Sequence, residues 1–554
     1  MSNREIANLF NLLADLMTLH EENPFKIRSY SNAYIQLRKL ETPVGDMSDE
    51  EISQVKGIGK AIRSKIAEIL ETGKMSTLEE YKTKTPPGIQ DMVGIKGLGP
   101  KKIRQLWKEL EIESVGELLY ACNENRLISL SGFGLKTQDD IKKKIGYFLQ
   151  SKGKFLFGRI EAEAKDIFQF VKVKFPWSDI SFTGAFRRRD PVLSRIDIIV
   201  SGGNPAEVFD NETLILDSQE KQTFSGKTEK GTPVTIHACE PEEFGSKLFK
   251  TTGTRAFLEA FLKTAQASDF TGLKTEQEVF EKAGTPYIQP ELRETAEIIE
   301  KANTGLPALV DEKDIRSVLH SHTTYSDGLH SLREMAEEAR DLGYEYIGIT
   351  DHSKTAFYAN GLSEERVAEQ MAEIDELNQE LAPFKIFKGI ESDILYDGTL
   401  DYAPEVLEKF DFIIASIHSQ LKMDKEKATS RLIAAIENPY TTILGHPTSR
   451  LLLSREGYPI DHKKVIDACA EKGVILELNA NPIRLDVDYT WIPYAVEKGV
   501  KISVNPDAHS KEGIQHIKYG VFAARKGGLS PTMCFNSLNL AEFEEFLRNR
   551  RKQF

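Results

Sequence analysis

Cysteine, long apolar runs and excess positive charge are all scarce in this 554-residue chain, and each shortage excludes something. The four cysteines (Cys122, Cys239, Cys469 and Cys534) stand far apart and form no CxxC pair. That excludes a disulfide framework or a zinc ribbon and reads as reduced thiols, so a cytoplasmic location is expected. No apolar stretch approaches the roughly 20 residues needed to cross a bilayer, so no membrane partner is expected. Met1-Ser2-Asn3-Arg4-Glu5 opens without the apolar core of a signal peptide. A net charge of -13 excludes a protein that coats nucleic acid uniformly. The deficit is uneven, however. Residues 1–150 carry 22 basic and 21 acidic side chains, so a local basic face remains available there.

The length implies several domains, and the pattern changes along the chain. Residues 1–150 read as helical, with apolar positions at helical spacing through Ile6, Leu9, Leu13 and Leu16 and again through Ile62, Ile66 and Ile69. Breakers fall at Pro24, Pro86-Pro87-Gly88 and Gly132-Phe133-Gly134. Between 151 and 240, Ile180-Ser181-Phe182, Ile196–Val200 and Val234-Thr235-Ile236 alternate as strands. A helical and mixed pattern returns over 241–305, and a charged linker is expected at 306–315.

From 316 to 554 a different rhythm takes over. Seven short apolar runs end in His, Asp or Glu: at His320 and His322, Asp351-His352, Glu391, His418, His446, Glu477, and Asp507 with His509. Helix-length stretches separate them. This predicts a parallel barrel whose C-terminal rim carries metal ligands. His320 and His322 are two apart on a strand and face one side, and Asp507 and His509 repeat the arrangement. Asp327 lies in the loop after the first strand. With His352, Glu391, His418 and His446 the set reaches six imidazoles and three carboxylates, a donor mixture suited to Zn²⁺, Mn²⁺ or Fe²⁺. One metal takes about three or four protein ligands, so the set implies two or three metals bridged by a carboxylate.

Three similar turns punctuate the N-terminal part: Lys56-Gly57-Ile58-Gly59-Lys60, Lys96-Gly97-Leu98-Gly99-Pro100 and Ser131-Gly132-Phe133-Gly134-Leu135. The first two run into basic helices, through Arg63 and Lys65 and through Lys101, Lys102 and Arg104. Glycines permit close approach, and a helix N-terminus offers free N–H groups to a phosphate. Gly57, Gly59, Lys60, Gly97, Gly99, Lys101 and Lys102 are therefore expected to hold a DNA backbone, which positions without reading sequence. The third turn lacks an immediate basic follow-up, although Lys142-Lys143-Lys144 lies nearby, and is read as degenerate or structural.

These turns resemble the helix-hairpin-helix lyase and fingers domains of family X DNA polymerases. The resemblance divides the chain into a lyase-like domain (1–82), a fingers domain (83–150), an α+β nucleotidyltransferase-like palm (151–240), a thumb-like domain (241–305), the linker, and a C-terminal domain (316–554). Lys65 matches the family's Schiff-base lysine; contact with a 5′-phosphate alone is the equal alternative. Tyr30-Ser31-Asn32-Ala33-Tyr34 resembles the segment beside the family's 5′-phosphate pocket.

Thr183-Gly184-Ala185-Phe186-Arg187-Arg188, followed by Arg195-Ile196-Asp197, resembles the palm signature of the same family. There a Gly-Ser and an Asp-x-Asp are joined by a third Asp on a later strand, and these carboxylates hold two Mg²⁺. Here the serine is Ala185, the first Asp is Arg195 and the third is Thr235, leaving Asp197 alone. A guanidinium then points where a dication should sit. The palm is predicted not to polymerise, the same losses count against nucleotide binding, and Arg187, Arg188, Arg189 and Arg195 are left as phosphate contacts.

The C-terminal motifs Leu319-His320-Ser321-His322, Thr350-Asp351-His352, Gly389-Ile390-Glu391, Ile417-His418, Gly445-His446-Pro447 and Asp507-Ala508-His509 resemble PHP phosphoesterases, a distorted (β/α)7 barrel. The family's usual Asp before Leu-His is Val318 here. The resemblance implies three sets of ligands: His320, His322, Glu391 and Asp507; Glu391, His418 and His446; and Asp327, His352 and His509. It implies a metal-bound water as nucleophile. Arg484 is a candidate phosphate clamp, with a surface ion pair as the even alternative, and Asp351, Glu477 and Asn479 are candidate supports. The order of parts is that of bacterial PolX. The reading preferred is a DNA-binding, metal-dependent phosphodiesterase, a 3′–5′ exonuclease favouring Mn²⁺ or an abasic-site nuclease in repair, acting on gapped DNA or 3′ ends. An active gap-filling polymerase with a proofreading barrel, a non-enzymatic gap-binding scaffold and a small-molecule phosphatase of the histidinol-phosphate type remain as alternatives.

Overall fold

A computed structural model describes residues 1–554 except 41, 96, 151–152, 211, 266–268 and 553–554. Lys96 of the second turn and the first residues of the palm-like region therefore lie outside the described residues. The chain forms two units, one of Met1–Cys122 with Leu127–Phe148 and one of Asn123–Arg126 with Leu149–Phe554.

The first unit is helical. Ile6, Phe10, Leu13 and Met17 bury one face of the helix Asn3–Leu19, the spacing the sequence shows. Ser2 with Glu5, and Ser48 with Glu51, form capping boxes that satisfy free N–H groups at helix starts. The three glycine turns share one backbone form. Gly57, Gly97 and Gly132 have φ of 93°, 83° and 85°. The next residue's N–H donates back over each turn: Ile58 to Val55 (3.1 Å), Leu98 to Ile95 (3.0 Å) and Phe133 to Leu130 (3.0 Å). Ile58, Leu98 and Phe133 are buried, and helices Lys60–Thr72, Pro100–Glu109 and Leu135–Gln150 follow.

The second unit begins with a five-stranded sheet. Its order is Ile180–Thr183, Ile196–Ser201, Pro233–Cys239, Thr223–Thr228, Leu214–Glu220. The last two strands escape the sequence reading because Asp217, Ser218, Gln219 and Glu220 are exposed and polar, and because Phe224 is the one large apolar residue of Thr223–Thr228, whose burial does alternate. Four helices follow around Phe249, Phe257, Phe261 and Phe280. The expected linker lies on the barrel: Val310 and Ile315 are buried, and Val310 N–H donates to Leu529 O (2.9 Å).

The barrel has seven parallel strands in sequence order: Ser317–Val318, Tyr346–Ile349, Lys385–Asp393, Phe412–Ser416, Ile443–Leu444, Ile475–Asn479 and Ile502–Asn505. Each falls on one of the seven apolar runs. The first and last are joined just beyond their ends, where His322 N–H donates to Ala508 O (2.8 Å) and Ala508 N–H to His320 O (3.2 Å). The helix Leu540–Arg551 packs Phe543 and Leu547 against Leu319, Tyr346, Phe387 and Phe412. Room for the Phe412 ring requires Gly348, where a β-carbon would come within 2.4 Å of it.

Candidate metal centre

Strand geometry gathers the nine predicted ligands at one end of the barrel. Glu391 is central. Its oxygens lie 3.3 Å from His320 Nε2, 3.0 Å from His352 Nδ1, 3.1 Å from His418 Nε2 and 2.9 Å from His446 Nε2. Asp507 Oδ1 lies 3.1 Å from His322 Nε2 and 3.5 Å from His320 Nε2. Asp327 lies 3.4 Å from His509 Nε2 and 3.6 Å from His352 Nε2. Members of each expected set are thus brought together, and His322 additionally joins Asp327, His352 and His509 in one group of candidate ligands.

The donor chemistry fits cations. Among the described residues, ring nitrogens of His320, His322, His352, His418, His446 and His509 and oxygens of Asp327 and Glu391 are buried without a hydrogen-bond partner. Buried polar atoms left this way are costly, and several converging on one point are what divalent ions satisfy. Electrostatics agrees. Burial opposes ionisation of Glu391, yet the imidazoles of His418, His320 and His352 hold it well below the usual carboxylate range. Asp507 behaves likewise beside His320 and His322. Burial lowers His418, but Glu391 and Asp393 outweigh it and carry the ring to about 10. His509 reaches about 10 in the same way beside Asp327. His322 goes the other way: burial, then His509 and His352, depress it to about 3.

A second layer of bonds aims these groups. Glu477 accepts from His320 Nδ1 (2.7 Å), His446 N–H (2.7 Å) and Asn505 Nδ2 (2.9 Å). Asn479 Nδ2 donates to Asp507 Oδ2 (3.0 Å). Asp351 accepts from Thr323 N–H (2.8 Å), Thr323 Oγ1 (2.7 Å) and Gln370 Nε2 (2.6 Å), anchoring the loop that carries Asp327. Arg484 is buried, with Nε 3.9 Å from Asp507 Oδ2, so it is no surface ion pair. The sequence reading missed Asp393, whose Oδ1 accepts from His418 Nδ1 (2.5 Å), although the alternation after Glu391 carried the signal. It also missed Glu124, which groups with Asp507 and His509.

The five-stranded sheet, where a palm is expected, holds a different kind of site. Asp197 pairs with Thr235 across parallel strands. Arg195 Nε donates to Asp197 Oδ1 at 2.9 Å, and His237, missed by sequence reasoning, stands 3.6 Å from the same oxygen. Gly184, at φ 60°, sits so close that a β-carbon would be 2.8 Å from Asp197 Oδ2. The other arginines are engaged. Arg187 forks onto Glu276 (2.8 and 2.5 Å), Arg188 donates to Thr252 O and Asp190 (both 2.7 Å), and Arg189 stacks 3.6 Å from the centroid of Phe522.

In the helical unit, Lys60 and Lys101 are exposed at their helix starts and Lys102 is half-buried over Phe133. Lys144 Nζ reaches the second turn, 2.9 Å from where a β-carbon on Gly97 would lie. Lys65 Nζ donates to Thr77 Oγ1. Tyr30 is buried against Phe10, while Tyr34 accepts from Arg38 (2.6 Å).

Residues 1–75 match a helix-hairpin-helix domain, 89–146 a SAM-like helix-hairpin-helix tandem and 319–481 the PHP domain. A Bacillus subtilis (strain 168) protein, DNA polymerase/3'-5' exonuclease PolX, is 34% identical over 571 residues, covering 99% of this chain and 100% of that protein. A probable phosphatase of Thermoanaerobacter sp. (strain X514) is 29% identical over 245 residues, 42% of this chain and 95% of that protein. A probable phosphatase of Caldanaerobacter subterraneus subsp. tengcongensis is 26% identical over 258 residues, 43% of this chain and 94% of that protein.

Proposed function

Because the chain belongs to the bacterial PolX family, we propose that its barrel hydrolyses DNA phosphodiesters from 3′ ends, or at abasic sites, while its palm does not polymerise. The observation that carries the hydrolytic half is the cluster of buried, unpartnered ring nitrogens and carboxylate oxygens at the rim. His320, His322, Glu391 and Asp507 would hold one divalent cation, Glu391, His418 and His446 a second, and Asp327, His352 and His509 a third. Mn²⁺ or Zn²⁺, and Fe²⁺ as a further choice, suit these donors. When bound, such cations acidify water near neutral pH and offset the charge that builds on phosphate oxygens.

The chain's own residues do the rest. Glu477 holds the Nδ1 proton of His320, which keeps Nε2 directed at Glu391. Asp393 does the same for His418, and Asn479 fixes the rotation of Asp507. Arg484 supplies fixed positive charge beside Asp507 for a phosphate. The glycine turns and Lys60, Lys101, Lys102 and Lys144 would hold the DNA backbone, gapped or at a 3′ end, without regard to sequence. Lys65 is retained as the candidate for 5′-deoxyribose phosphate chemistry. A role in repair in a reducing cytoplasm fits the four free, buried cysteines.

The inactive palm is inferred from Arg195, which already neutralises Asp197. A small-molecule phosphatase is the second reading, favoured by the two phosphatases that align with the barrel region. End-labelled gapped DNA and a panel of phosphomonoesters, each with Mn²⁺, separate the two. Release of 3′ nucleotides is expected; cleavage of monoesters with DNA left intact would overturn the proposal.

A further inference from the structure

Asn123–Arg126 belongs to the unit that contains the barrel, although some 200 residues of chain separate it from the first rim ligand. Within this segment Glu124 is 1% exposed, and its carboxylate is grouped with Asp507 and His509, the donor atoms all lying within 4.8 Å of one another. Arg126 Nη2 stands 2.8 Å from Glu124 Oε2. Oε1 has no hydrogen-bond partner among the described residues. Asn125, in the left-handed region at φ 53°, donates from its amide to the backbone oxygen of Asp327 (3.3 Å). Left-handed backbone is tolerated by asparagine more readily than by most side chains. The Arg126 guanidinium lies 4.2 Å from the centroid of Tyr358, whose ring is 6.2 Å from that of His352. The segment is therefore fastened at two points next to candidate ligands.

We propose that Glu124 is a tenth ligand, a carboxylate that joins the cation centre where Asp507 of the first set and His509 of the third come together; this rests on the reading of the rim as a metal centre. A buried carboxylate needs charge compensation at both oxygens. Arg126 lies against Oε2, while Oε1 accepts no hydrogen bond among the described residues. The donor atoms grouped with Glu124 within 4.8 Å are themselves candidate metal ligands, one oxygen from Asp507 and one imidazole from His509. A third ligand of oxygen type shifts the set toward harder cations, Mn²⁺ over Zn²⁺. Arg126 then takes the part that outer hydrogen bonds play for other ligands, fixing the carboxylate's rotation. The match to the PHP domain covers residues 319–481, so this ligand comes from outside it.

Mn²⁺ alone is titrated into the metal-stripped full-length protein by calorimetry, and bound metal is counted by elemental analysis after dialysis. Wild type, Glu124→Gln, which keeps the side chain's shape, and Glu124→Ala are compared, with thermal melts reporting folding. Both variants should lose one class of site or bind it at least about tenfold more weakly, the remaining sites keeping their affinity. Zn²⁺ should suffer less than Mn²⁺. Unchanged stoichiometry and affinity in Glu124→Gln overturns the assignment. So does faster DNA hydrolysis by that variant, which would make Glu124 a stand-in for the substrate phosphate. Wild type that binds no metal at all would instead sink the metal-centre reading on which the proposal stands.

Discussion

Asp197 in the palm and Glu391 in the barrel are both buried carboxylates on parallel strands, and their neighbours differ in one decisive property. Glu391 is surrounded by the imidazoles of His320, His352, His418 and His446. Asp197 faces the guanidinium of Arg195. An imidazole can shed its proton and turn a lone pair toward a metal; a guanidinium has no acceptor and stays charged. Both carboxylates are compensated without a metal, but Glu391 has four imidazoles that can become ligands when one arrives, whereas Asp197 has one, His237, beside a permanent cation. A carboxylate's partner, more than its burial, tells whether the site is built for cations.

The largest effect expected is from His320→Ala, which should lower Mn²⁺-dependent release of 3′ nucleotides at least about a hundredfold, with DNA affinity unchanged in a filter or anisotropy assay. Hydrolysis near the wild-type rate would place the chemistry elsewhere. Asp393→Asn tests the bonds behind the ligands. Freed of Asp393, His418 should turn from Glu391 and cost about 10–100-fold in metal affinity or rate. The converse change is Arg195→Asp combined with Thr235→Asp, which should give the palm a Mn²⁺ or Mg²⁺ site that wild type lacks, read by calorimetry as binding beyond that of the protein with an unaltered palm. No new binding would show that more than two residues separate the two centres.

Smaller effects come from the helical unit. Gly97→Ala places a side chain at φ 83° and against Lys144, so DNA affinity should fall several-fold while hydrolysis of a small phosphodiester stays constant. The smallest concerns Asp15, a third kind of carboxyl, which accepts from the amide of Asn11 at 3.0 Å. Burial pushes it up to about 6, partly offset by Asn11. The folded state then holds a proton that the unfolded state has released, so stability falls as pH rises from about 4 to 6. Asp15→Asn should remove that slope and raise stability at pH 7.5 by about 1–2 kcal/mol, an amount reduced for partial exposure. Melts at pH 4.5 and 7.5 read it.

Much of the barrel was legible because each strand runs apolar and ends abruptly in a ligand-type residue; all seven runs became strands. The nearness of Arg195 to Asp197 was legible too, since alternation along a strand puts 195 on the face of 197, and the observed register sets Thr235 beside Asp197. Other features were not. The Leu214–Thr228 hairpin is mostly polar in sequence: the strand Leu214–Glu220 is exposed over residues 217–220, and Phe224 is the one large apolar residue of the strand Thr223–Thr228, so composition does not mark it. The commitment of Arg187 to Glu276 links residues 89 apart. Glu124 has no local pattern at all, because what makes it notable is the company of Asp507 and His509, far along the chain.

The most direct measurement uses one labelled primer annealed across a gap, with Mn²⁺ and all four deoxynucleoside triphosphates present. The direction in which the band moves reports which centre works. Wild type and Asp197→Ala should both shorten the primer, and His320→Ala should leave it at full length. A primer that lengthens with wild type and no longer does so with Asp197→Ala would contradict the account, since the palm would then be the working centre.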